Sequence, residues 1–264
     1  MMKSIQFRNV QLSFWDSGSG AAVILIHGFP LDHRMWAAQI PVLEKFCRVI
    51  AVDLPGYGSS PLPNEPLSIK GYAEAIAAIM AAEKIVRATL VGLSMGGYVG
   101  WEFAAHFPHS VSRMVACNTR AAGDNVATAK ARKISAQNVR DNGTTALVTD
   151  MLNRLVAPQT QTESLEVIAQ IRTMMNSATP ESVSATLLAL ADRADNRSIL
   201  PQLKIPVLVV AGEFDAITPA EEMREMSTTL EHASFKIVLG CGHLPPMEQP
   251  ERFNEVLVDF LKTN

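Results

Sequence analysis

Residues 91–100 read VGLSMGGYVG, a single serine crowded by Gly92, Gly96, Gly97 and Gly100. Glycine weakens strand and helix alike, so four of them around one hydroxyl need a reason. The run ATLVGL (88–93) ahead of Ser94 is short and apolar, the pattern of a strand buried on both faces. MGGYVGWEFAAHF (95–107) behind it has helical spacing. A sharp strand-to-helix turn holds its middle residue in strained backbone geometry and thrusts that side chain above the sheet. The residues two before and two after must then be small, because two backbones meet there. Gly92-Leu93-Ser94-Met95-Gly96 meets that G-x-S-x-G demand in the strand–turn–helix context it requires. The competing reading is a glycine-rich turn or helix cap in which the serine is incidental.

A serine hydroxyl is a poor nucleophile until a base takes its proton. Of the six histidines, His33, His106, His109 and His232 sit at helix ends or among polar residues, where a surface role is the default. His243 lies in LGCGHLPPMEQP (239–250), a loop between a strand pattern and the last helix. Two glycines and two prolines give that loop a defined shape, and His243 is the candidate base. The base needs a carboxylate to fix its tautomer. VLVVAGEFDAITP (207–219) ends a buried strand and delivers Glu213 and Asp215 to its carboxyl end. Asp215 is the candidate acid, and Glu213 is read as a surface cap or ion pair. Asp53 precedes the turn LPGYGSS and is read as bracing that loop. After the strand pattern SRMVACN (112–118) the positions where an acid could also serve hold Asn118 and Thr119. The chain order is Ser94, Asp215, His243.

The developing oxyanion needs two preorganised N–H donors. Met95 supplies one at the N-terminus of the helix, where the helix dipole favours negative charge. The loop HGFP (27–30) supplies the other: Gly28 permits the turn and the Phe29 amide is the expected donor. His27 is expected to hydrogen-bond within that loop rather than catalyse. Gly28, Trp36 and Met151 are candidate substrate contacts, and Phe29, Met95, Met174 and Met175 could add to an apolar pocket. Helical spacing explains the methionines of the 119–202 block as core equally well. Arg120 and Arg154 are candidates for holding a substrate carboxylate.

Around these motifs, strand-like runs alternate with helix-like ones. SIQFRNVQLSFWD (4–16) opens on alternation and is expected to form two antiparallel strands. Later runs are unalternating and rich in Val, Ile and Leu, with helical patterns at about 33–45, 68–84, 95–106, 219–230 and 250–262, which implies a parallel sheet covered on both faces. Residues 119–202 break the rhythm with four amphipathic helical patterns. Strand patterns lie on both sides of this block, so the expected division is a core of 1–118 and 203–264 carrying a helical cap insertion, 119–202.

With 264 residues and 48% hydrophobic content, the chain can bury a large core without disulfides; the net charge of −3 gives no case for nucleic acid. Cys47, Cys117 and Cys241 have no metal-type spacing, and neither metal nor cofactor is expected. No apolar run reaches the length of a membrane span, and the N-terminus lacks a signal-peptide core; the expectation is a cytoplasmic protein that needs no membrane. Nothing in the sequence specifies an oligomeric state.

The motifs HGFP, DLPGYGSS, GLSMGG, GEFDAITP and GCGHLPPMEQPE, in this order over nearly the whole chain, resemble those of the α/β-hydrolase family, in particular its small bacterial serine esterases, enol-lactone hydrolases and haloperoxidase-like members. The resemblance implies an α/β-hydrolase fold: an eight-stranded, mostly parallel sheet flanked by helices, with a helical cap inserted after the sixth strand and a pocket beneath it. It also implies a Ser-Asp-His triad; a serine at 94 argues against dehalogenases and epoxide hydrolases, which use an aspartate there. The expected activity is hydrolysis of a small-molecule carboxylic ester through an acyl-enzyme. Alternatives on the same triad are enol-lactone hydrolysis, perhydrolysis of the haloperoxidase type and cofactor-free lyase chemistry. A slowly turning-over ligand sensor is a further alternative.

Overall fold

The short apolar runs read from the sequence pair into one sheet in the computed structural model, which describes residues 1–263. Its strands are β1 (Met2–Phe7), β2 (Val10–Gly18), β3 (Ala22–Ile26), β4 (Arg48–Val52), β5 (Ala88–Leu93), β6 (Val111–Cys117), β7 (Val207–Gly212) and β8 (Ala233–Val238). Their order across the sheet is β1-β2-β4-β3-β5-β6-β7-β8. β2 runs antiparallel to β1 and β4, as the opening alternation predicts; the remaining neighbours are parallel.

Side chains alternate across each strand and divide the core into two layers. Ile24, Ile50, Leu90 and Val209 point into one, with the helices Ile69–Ala82 and Met95–His106 packed over them. Val23, Leu25, Val91, Leu93 and Val210 point into the other, against Phe253 and Leu257 of the helix Pro250–Lys262. Because both faces are covered, the inner strands β3, β5 and β7 are buried along their whole length and show no polar alternation, whereas the edge strand β8 alternates, with Ser234 and Lys236 exposed.

The chain steps from β3 to β4 on one side, then crosses back over β3 to β5. That reversal opens a crevice at the carboxyl ends of β3 and β5, the place where open α/β sheets bind ligands.

Between β6 and β7 lie the helices Val126–Asn142, Thr145–Leu155, Pro158–Glu163, Leu165–Ser177 and Pro180–Ala191, followed by the 3₁₀ segment Arg197–Gln202. Four of these match the helical patterns of the sequence. The sequence does not mark the short Pro158–Glu163 helix, because PQTQTE has no apolar period to announce it. The first and last α-helices of the block join one core layer through Ala136, Val139, Val183, Leu187 and Leu190. The helices 145–155 and 165–177 join the other layer through Leu152, Leu155, Ile171 and Met175. The insertion therefore contributes to both layers of the core. The single helical run expected over 33–45 is divided into the 3₁₀ turn His33–Trp36, capped by Asp32, and the helix Ile40–Leu43.

Candidate active site

Ser94 stands at the end of β5 with φ 53° and ψ −112°, a left-handed conformation that costs a non-glycine residue about 1–3 kcal/mol. The surrounding backbone compels it. The Ser94 amide donates to Cys117 O at 2.9 Å. Its carbonyl accepts from Gly97 N at 2.9 Å and from Thr119 Oγ1 at 2.8 Å. The glycine crowding follows from the same approach of strand and helix: a Cβ on Gly92 would lie 2.3 Å from Gly96 O, and one on Gly96 would lie 2.1 Å from Ile26 O. The Ser94 hydroxyl makes no capping hydrogen bond to the helix that follows it, as an incidental cap serine would.

Asp215, after β7, and His243, after β8, meet at 2.8 Å between Oδ2 and Nδ1, both buried. A carboxylate only accepts, so Nδ1 carries the proton that His243 donates to Asp215. Asp215 Oδ2 also accepts from Asn118 Nδ2 and Thr218 Oγ1, each at 2.6 Å, and Oδ1 accepts the amides of Ile217 at 2.8 Å and Thr218 at 3.1 Å. Burial pushes the Asp215 carboxyl up, but the neighbouring imidazole and these hydrogen bonds outweigh it and hold its pKa below the usual carboxylate range.

Asn118 connects the parts. It follows the residue whose carbonyl anchors Ser94, its Nδ2 reaches both Asp215 and Gly242 O (3.1 Å), and its Oδ1 accepts Gly212 N at 3.0 Å. Among the described residues the His243 ring bonds to Asp215 and not to Ser94 Oγ. Catalytic contacts of this kind commonly tighten only with substrate present. The sequence marks neither Asn118 nor Thr218 as a site residue. Only the missing acid at 118 hinted that the position matters.

On the other side of Ser94, a Cβ on Gly28 would lie 3.5 Å from Ser94 Cβ, so the 27–30 loop lies against the serine. The amides of Phe29 and Met95 donate to no acceptor among the described residues. His27 is wholly buried. Its Nε2 accepts Leu54 N–H at 3.0 Å, which leaves Nδ1–H to donate to Gly28 O at 3.0 Å. Burial lowers its pKa, and with both nitrogens engaged it serves the loop. Asp53 likewise braces its turn, accepting from Ser59 N at 2.9 Å and from the His33 ring at 2.7 Å. That pairing draws His33 inward from the surface position expected of it. Glu213 accepts Gly240 N at the surface, 2.9 Å away.

The expected substrate contacts fare differently. Trp36 is wholly buried in the core, its ring centroid 6.3 Å from that of Phe253; bulk and apolarity made it a pocket candidate, but they suit core filling equally. Met174 and Met175 are buried in the same layer, and Met151 is half-buried where both layers meet. Arg120 is committed to Glu222 at 2.7 Å and to Ile217 O, and Arg154 is exposed near Asp150. Arg120 is therefore not a free cation for a substrate carboxylate, while Arg154 is held by no hydrogen bond among the described residues.

A family model described as the alpha/beta hydrolase fold matches residues 21–250, and the chain belongs to that family. The chain is 30% identical over 241 residues to 3-oxoadipate enol-lactonase 2 of Acinetobacter baylyi, covering 91% of this chain and 88% of the relative. It is 31% identical to the pimeloyl-[acyl-carrier protein] methyl ester esterase of Vibrio atlanticus, covering 94% and 97%. Its fold is similar to that of a malate-bound thermophilic esterase from Thermogutta terrifontis, with a TM-score of 0.96, 37% identity, and 99% and 98% of the two chains covered.

Proposed function

We propose that this protein is a serine hydrolase of small carboxylic esters, with Ser94 as nucleophile, His243 as general base and Asp215 as its orienting acid. The observation that carries the reading is the buried 2.8 Å Asp215–His243 pair on the same sheet rim as a strained, uncapped Ser94. Ser94 Oγ attacks the ester carbonyl while His243 Nε2 takes its proton. The carbonyl oxygen, now negative, is held by the Phe29 and Met95 amides, which donate to no other acceptor among the described residues. Collapse of the tetrahedral species breaks the bond to the alcohol, which leaves with the proton from His243. Water then attacks the acyl-serine, again losing a proton to His243, and Ser94 is regenerated. Asp215 keeps Nδ1 protonated so that Nε2 faces the reaction.

The relatives support ester bonds as the target class, since one acts on an enol-lactone and another on a methyl ester. An enol-lactone is an internal ester and asks for the same steps, so enol-lactone hydrolysis is the second reading, favoured by the likeness to the A. baylyi enzyme. The inserted helices between β6 and β7 fit the role of a cap that shapes the acyl pocket. The test is turnover of p-nitrophenyl esters of two to twelve acyl carbons and of an enol-lactone, by the wild type and by Ser94→Ala. Loss on the order of 10⁶-fold in kcat with the fold retained is expected. Turnover that survives in purified Ser94→Ala would place the nucleophile elsewhere.

A further inference from the structure

The motif that carries His243 also contains Glu248, which the reaction above does not use. Its side chain is buried, and both oxygens are fully occupied. Oε1 accepts Gly242 N at 2.9 Å and Leu244 N at 3.0 Å, the amides on either side of His243. Oε2 accepts Ala157 N at 2.7 Å and Thr160 Oγ1 at 2.8 Å, both in the insertion. The amide of His243 itself donates to Leu155 O at 2.7 Å. Three consecutive amides of the base loop are thus held by one carboxylate and one carbonyl of the inserted helices. The fit is tight, since a Cβ on Gly242 would lie 2.7 Å from Ala157 N.

We propose that Glu248 is a positioning residue that locks the His243 loop to segment 155–160, so that the inserted helices and the general base are placed as one unit. The inference rests on His243 being the base. The chemistry explains why a carboxylate stands there: two oxygens must each accept from two donors, and only a carboxylate offers two acceptor oxygens without a competing N–H. A glutamine at 248 must turn its NH₂ toward either the base loop or Ala157 and so releases one side of the lock.

The test compares wild type, Glu248→Gln and Thr160→Val for kcat and KM on p-nitrophenyl butyrate, for thermal midpoint, and for the downfield ¹H resonance of the His243 Nδ1 proton. Glu248→Gln is expected to lower kcat by about 10²-fold, the scale of an ångström-sized misplacement, with KM nearly unchanged and the resonance shifted or broadened. Thr160→Val removes one of the four donors and is expected to move kcat and the resonance in the same direction by a smaller amount. A lowered midpoint with wild-type kcat and an unmoved resonance in the folded Glu248→Gln protein would overturn the proposal. If Glu248→Gln does not fold, a wild-type kcat together with an unmoved resonance in Thr160→Val overturns it. Because the resonance is read without turnover, it decides the proposal even if Ser94→Ala shows the esterase reading to be wrong.

Discussion

At the scale of single residues, Asp215 accepts five hydrogen bonds through two oxygens while lying out of solvent. A buried carboxylate is tolerated only when its lone pairs are satisfied in this way, and the same bonds that make it affordable also aim it at His243. Its depressed pKa has a definite consequence for acid stability. The unfolded carboxyl takes up a proton at a higher pH than the folded one does. The stabilisation is therefore complete above the ordinary carboxylate pKa and disappears as pH falls through the lower, folded value. Asp215→Asn should lower kcat by about 10⁴-fold, because an amide can leave the imidazole in the wrong tautomer. Urea unfolding of wild type and Asp215→Asn should also show their stability difference narrowing between pH 7 and pH 3. A difference independent of pH would mean that the Asp215 carboxyl is not held below its ordinary range. Asp215 and His243 could be picked out in the sequence because each follows a strand pattern on a loop rich in turn residues. Asn118 could not, since its importance comes from bonds to residues 94 and 124 positions away in the chain.

At the scale of elements, the crossing of β5 and the helix Met95–His106 sets Ser94. The glycines of this crossing are unequal, which gives a test. A methyl at Gly96 meets the Ile26 carbonyl at 2.1 Å, a backbone atom that cannot step aside; a methyl at Gly100 meets only the flexible end of Met114 at 2.7 Å. Gly96→Ala should cost at least about 1–3 kcal/mol in unfolding free energy and most of the activity, since the strain is relieved by moving Ser94. Gly100→Ala should cost far less, because repacking is offset by the roughly 0.5–1 kcal/mol that alanine gains over glycine within a helix. Equal midpoints for the two variants in a denaturant titration would show that the crossing is more compliant than its geometry implies. The strand-to-helix turn was legible because it is local: a short strand run, one serine and glycines at set offsets. The short helix 158–163 was not, because tertiary contacts with Glu248 hold residues whose own pattern is polar.

At the scale of the whole molecule, the insertion is fastened to the core by polar contacts as well as by its share of both apolar layers. Within the insertion, Asp124, with its carboxylate buried, accepts from Arg132 at 2.6 Å and pairs with Arg193, which fixes Arg193 for its contact with the core. Arg193 in turn lies over the Tyr98 ring, 4.4 Å from its centroid, on the helix that begins at Ser94. Tyr72 of the helix Ile69–Ala82 meets Thr186 of the insertion at 2.8 Å. Asp124→Ala strands the buried Arg193 guanidinium and should cost about 3–5 kcal/mol, read as a fall in the urea midpoint. A change under about 0.5 kcal/mol, the size expected of an ordinary surface substitution, would remove this cluster from the account of how the insertion is held.

Local pattern in the chain was enough to specify the sheet's parallel character, the run of helices between β6 and β7 and the strand ends that carry Ser94, Asp215 and His243. Each of these is written in runs of apolar residues and in turn chemistry a few residues long. Only the tertiary structure decided which side chains surround Asp215, that Trp36 belongs to the core, that Arg120 is already paired, and that Glu248 ties the His243 loop to the insertion. Those facts depend on approaches between residues far apart in sequence, where an ångström separates a hydrogen bond from none, and no periodicity in the chain records that distance.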